Sequence, residues 1–235
     1  VTIATEILAI LSLMSISSVD LTKKNPKKAE EIDPNETPIL MIHGFLGSSN
    51  NWMYHRSRLV AAGHKNVFTI NLGSPFNTID TYAKRVDMSV KEIKDLTNRN
   101  DIRLICHSMG GLVAREWLYS YAQDTEVQDI ITIGSPLRGT YLGYAAFGLS
   151  ACAKEMQPHS PLIKKQLEAS ANDTKTNYYH IGSDVDFVIL PNKSALNGGS
   201  PQCKVDMLET TGHVGYLFSD ETADKVIGYL KTRVE

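Results

Sequence analysis

The chain has 235 residues, 42% of them hydrophobic and 21% charged, with a formal net charge of −2. That length suits one domain, or one domain carrying an insert, and supplies enough apolar side chains for a sizeable core. A near-neutral balance with no long basic block excludes a nucleic-acid footprint, and the one basic cluster, at Lys23, Lys24, Lys27 and Lys28, falls in a polar stretch. Three cysteines are too few for a disulfide scaffold, and no Cys/His spacing suits a metal, so no metal site is expected. Whether Cys152 and Cys203 pair stays open at this level.

Residues 1–18 are nearly all apolar or small, with Ile3, Ile7, Ile10 and Met14 at helical spacing. The segment is short for a membrane span and has no basic flank before it. A signal or anchor remnant, an amphipathic helix covering an apolar surface and an interfacial helix all fit. Contact with a membrane or lipid interface through residues 1–18, in a secreted or membrane-associated protein, is the resulting expectation. Residues 20–37 are charged and contain Pro26 and Pro34, which reads as a linker. The expected division is an N-terminal segment and linker over 1–36, then one domain over 37–235.

From residue 39 onward short apolar runs alternate with helical stretches. Strands are expected at 39–43, 66–72, 102–106, 129–134, 178–182 and 205–208, with helices at 51–62, 77–97, 110–121 and 219–234. Alternation of this kind predicts a mostly parallel central sheet with helices on both faces. Uninterrupted apolar strands such as ILMIH and DIITIG fit burial on both sides. Residues 135–177 break the rhythm. A connection of that length is expected to be a lid-like insert.

The expected elbow strand runs into Cys106-His107-Ser108-Met109-Gly110-Gly111, followed at once by a helical stretch. A serine on a sharp strand-to-helix turn is lifted above the sheet edge, next to unpaired amides that can hold an oxyanion. A serine that merely caps a helix fits less well, because paired glycines inside a helix start cost stability. Ser108 is therefore the candidate nucleophile. It needs a base, and the base needs an orienting acid; on such folds the chain order is serine, acid, histidine.

Of the histidines after Ser108, His159 lies in a polar loop and His180 in an apolar strand, whereas His213 sits in the Gly-flanked loop TTGHVG. His213 is the candidate base. Asp184 and Asp186 both fit as the acid; Asp186 is preferred because it immediately precedes an apolar run, where a carboxylate can be buried against an imidazole. The oxyanion donors fall at the backbone N–H groups of Met109 and of Phe45, in the loop after the first core strand. His43 reads as a buttress of that loop.

The segments HGFLGSS, CHSMGG, GSP-x-RGT, EM-x-P-x-SP, S-x-VD-x-VI-x-P and TGHVGYL occur in an order and spacing that resembles the small bacterial triacylglycerol lipases and esterases of the α/β-hydrolase superfamily. The likeness spans about residues 37–235, with Cys106 standing where that family often has Ala or Gly. It implies the α/β-hydrolase fold, with Ser108, Asp186 and His213 as triad and Phe45 and Met109 as oxyanion donors. It further implies cofactor-free hydrolysis of acylglycerol or related lipid esters. By the same likeness the insert covers the acyl site, with Leu137, Tyr141, Leu142, Tyr144 and Phe147 as candidate lining. A phospholipase, a lipid-anchor deacylase or an acyltransferase would use the same machinery, and a non-catalytic lipid-binding module is the rival from another class. The expected partner is a lipid or ester substrate, and the expected state a monomer.

Overall fold

A computed structural model of the chain describes residues 31–145 and 150–231. The expectations placed on residues 1–18 and on Phe147 lie outside these. The strands are β1 (Ile39–Ile42), β2 (Val67–Ile70), β3 (Asp101–His107), β4 (Glu126–Ile133), β5 (Asn177–Ser183) and β6 (Cys203–Leu208). They form one sheet in the order β2-β1-β3-β4-β5-β6, with every pairing parallel. Seven α-helices are described: α1 (Met53–Ala61), α2 (Ile79–Thr97), α3 (Met109–Ser120), α4 (Leu142–Ala145), α5 (Ala151–Glu155), α6 (Pro161–Ala171) and α7 (Asp220–Lys231).

The strands are apolar throughout because both of their faces are covered. Successive side chains alternate between faces. Leu40 and Ile42 therefore join one buried cluster with Leu104, Cys106 and the inner residues of α2 and α3. Ile39 and Met41 join the other, with Ile105, Ile131, Ile133, Tyr179 and the inner residues of α7. Helix α2 shows why its sequence folds as it does. Thr78 caps it by accepting the Thr81 amide, Ile79, Tyr82, Ala83, Val86, Val90 and Ile93 make the buried stripe, and Asn98 in the left-handed region ends it.

Two expectations are refined. The end of the linker is tied down: the Asn66 side-chain amide donates to the carbonyls of Asp33 and Glu36, and the Glu36 carboxylate accepts from the amides of Lys65 and Asn66. The insert divides as well. Helix α6 is the crossover from β4 to β5 and packs on α3, with Ile163 in the core, Gln166 Nε2 donating to the Leu112 carbonyl and Lys165 paired to Glu116. Of the residues before α6, those described are tied to other loops and helices: the Tyr141 amide donates to Leu190 O and the Ile79 amide to the Glu155 carboxylate.

Cys106, Cys152 and Cys203 are all free thiols, the first two buried and the third exposed, so Cys152 and Cys203 do not pair. Among the described residues no helix is long and apolar enough to cross a membrane.

Candidate active site

In a parallel sheet all strands end on the same side, so the loops after β1, β3, β5 and β6 meet above one edge. Residues 42, 106 and 132 stand abreast at the ends of β1, β3 and β4. Ser108 follows β3 with φ 54° and ψ −128°, a conformation that a residue with a Cβ adopts only under constraint. The constraint is visible: its amide donates to Ile133 O at 2.9 Å, and its carbonyl accepts the Gly111 amide. The close fit also demands glycine at two neighbouring positions. A Cβ on Gly44 would lie 2.7 Å from the Ser108 Cβ, and one on Gly110 would lie 2.4 Å from the Ile42 carbonyl oxygen.

Ser108 Oγ lies 2.9 Å from His213 Nε2, and His213 Nδ1 lies 2.9 Å from Asp186 Oδ2. A carboxylate only accepts, so the imidazole donates through Nδ1, leaving the Nε2 lone pair to take the serine proton. Asp186 Oδ1 accepts the Val188 and Ile189 amides at 2.8 and 3.0 Å. Burial by itself raises the Asp186 pKa, but the facing imidazole and these donors outweigh it and hold the carboxyl below its ordinary value. Asp184, the other candidate acid, is exposed.

Met109 opens α3, so its N–H is one of the first-turn amides that no intrahelical carbonyl reaches. Phe45 lies in the loop after β1 and lines the cleft beside Ser108. His43 pins that loop: Nδ1 donates to Gly44 O at 2.8 Å, and Nε2 accepts the Leu72 amide at 2.9 Å. Burial drops its pKa to about 4, so it stays neutral.

The cleft over Ser108 is about 90 Å³ and is bordered also by Leu46, Asn51, His107, Val188 and Val214. None of these five was singled out by sequence reasoning, although His107 adjoins Ser108. His107 Nε2 donates to the His213 carbonyl at 3.0 Å, and the two rings lie 4.8 Å apart. His55 Nε2 likewise donates to Tyr216 O at 2.8 Å. Burial, then repulsion from His213, lowers the His107 pKa to about 3, so a neutral ring braces the candidate base.

Of the candidate lining residues, Leu137 is fully buried, while Tyr141, Leu142 and Tyr144 are exposed on the insert. None of the four borders the cleft over Ser108. His180 is buried within β5 against the Thr132 hydroxyl, away from the triad. Among the described residues no group of three His, Cys, Asp or Glu side chains is placed to hold a metal.

Fold and site together place the protein in the α/β-hydrolase superfamily, and structural comparison agrees. The mature Bacillus licheniformis lipase BlEst2 superposes with TM-score 0.70 at 18% identity, over 88% of this chain and 97% of that one. An Aspergillus fumigatus lipase B matches with TM-score 0.68 at 16% identity; 84% of this chain is matched, but only 53% of the fungal one. A thermophilic esterase from Thermogutta terrifontis gives 0.64 at 16%, over 83% and 90%. Within the superfamily, residues 38–184 match the palmitoyl protein thioesterase family, and the chain belongs to it.

Proposed function

We propose that the protein hydrolyses fatty-acyl esters and thioesters through an acyl-enzyme on Ser108. The observation that carries this reading is the hydrogen-bonded relay from Ser108 Oγ through His213 to Asp186, closed beneath a loop that offers a backbone donor. In the first half-reaction Ser108 Oγ attacks the acyl carbon while its proton passes to His213 Nε2. The Phe45 and Met109 amides hold the oxyanion. Collapse expels an alcohol or thiol, which takes the proton back from His213. Water then repeats the sequence and releases the fatty acid. Asp186 holds the imidazole in the required tautomer and stabilises its cationic form.

Membership in a family named for palmitoyl protein thioesterase favours a thiol leaving group, such as the cysteine of a lipid-anchored protein, over the glycerol of an acylglycerol. The test is covalent labelling of the full chain with a fluorophosphonate. It is paired with release assays on p-nitrophenyl esters, a triglyceride emulsion, phospholipid and an S-acylated peptide. The expected result is one adduct, on Ser108, absent in Ser108→Ala, with turnover fastest on the S-acylated peptide. A folded wild-type chain that neither labels nor releases acyl groups would overturn the proposal and favour a lipid-binding module.

A further inference from the structure

The cleft over Ser108 is too small to bury a ligand, since sites that do so measure roughly 300–1,000 Å³. A second cavity of about 330 Å³ lies against the same loop. Gly44, Leu46 and Gly47 border both spaces, and Leu46 alone of the three has a side chain. Leu46 is therefore the one residue with a side chain that the two linings share. Its backbone is in the left-handed region, at φ 58°, which a residue with a Cβ enters only when its surroundings impose it. The turn closed by the Gly47 amide on Gly44 O, and His43 bonded to that same carbonyl, supply the imposition.

The second cavity suits a hydrocarbon. Leu46, Leu72, Pro75, Tyr82 and Met109 supply the apolar side chains of its wall. Its polar side chains each hold a bond of their own: His43 Nε2 accepts from Leu72, the Tyr82 hydroxyl donates to Ser74 O, Ser48 Oγ accepts from Asn50 and Asn71 Oδ1 accepts from Gly73. The part of the substrate it would take follows from proton transfer. The departing atom must lie within reach of His213 Nε2, and His213 and Val214 border the first cleft but not the second cavity. Met109, whose amide is the oxyanion donor, does border it. The group that runs past the oxyanion loop is therefore the acyl chain, not the alcohol or thiol.

We propose that the second cavity is a distal acyl subsite and that Leu46 is the divider setting how much hydrocarbon enters it. The proposal rests on the acyl-hydrolase reading above. Its test is kcat/KM for straight-chain p-nitrophenyl esters from acetate to palmitate, in the full-length wild type, Leu46→Ala and Leu46→Phe, each normalised to active sites titrated with a fluorophosphonate. In the wild type the values level off with chain length. In Leu46→Ala they keep rising, by about fourfold for each methylene that enters the cavity. In Leu46→Phe they level off at shorter chains. Adding Pro75→Trp to Leu46→Ala refills the cavity from its far side and returns the plateau. Profiles that superimpose after scaling would overturn the divider while leaving the hydrolase reading intact. A wild type that neither labels nor turns over would overturn both.

Discussion

Two opposing effects meet on the Asp186 carboxyl group. Burial favours its neutral form, whereas His213 and two backbone amides favour the anion and prevail. Replacing it by asparagine removes the charge and offers the imidazole an amide that can lock the wrong tautomer. Asp186→Asn is expected to lower kcat about 10⁴-fold with little change in fold, as read by pre-steady-state acylation of Ser108 and by circular dichroism. The meeting of Ser108, His213 and Asp186 was legible because a serine on a turn, a histidine in a glycine-flanked loop and an aspartate before an apolar run each leave a local signature. His107 left none. Its partner is 106 residues away, and only the arrival of the loop after β6 over the end of β3 gives its ring something to hold. Val188 and Val214 escaped for the same reason, since a small apolar side chain acquires meaning only from what faces it.

At the scale of elements, the strand–turn–helix around Ser108 shows how little room the site leaves. Helix α3 starts so close to β1 that a methyl group on Gly110 would meet the Ile42 and His43 carbonyl oxygens at 2.4 and 2.9 Å, and neither is a flexible side-chain end. Gly110→Ala is expected to displace α3 or the oxyanion loop, costing on the order of 3 kcal/mol in denaturant melts and most of the fluorophosphonate labelling rate. Retention of wild-type stability and labelling would show that this approach is looser than described. The six strands were readable as apolar runs, because burial on both faces removes polar residues from them. The insert was less readable. Its polar helical stretch did not announce that α6 is an ordinary crossover, since α6 buries only Ile163, Gln166 and Ser170, with Leu162 and Leu167 half-buried against the core.

For the whole molecule, buried neutral histidines set the response to acid. Burial lowers the pKa of His43 to about 4 and of His107 and His180 to about 3, and lowers that of His55 as well. In the unfolded chain these groups return to their ordinary value of 6.5. Below that pH the unfolded state takes up protons that the folded state refuses. The stability they contribute is complete above 6.5 and is lost as pH falls toward the folded values, by about 1.4 kcal/mol per histidine per pH unit. Asp186 adds to the loss only below its unfolded value of 3.8. The melting temperature is therefore expected to hold from pH 8 to 7 and to fall steeply between 6.5 and 4. A flat profile across that interval, in calorimetry at constant ionic strength, would contradict it.

Among the described residues strand β6 is the outermost on its side and pairs with β5 alone, and its first three residues are exposed. The chain leaves this strand to place His213. The imidazole thus hangs from a fringe of the sheet, while the Ser108 hydroxyl it contacts is anchored in the middle. Peripheral strands of this kind open at lower free energy than interior ones. Warming should then unhook the base before the centre of the protein gives way, so that catalytic silence arrives ahead of melting and reverses on cooling.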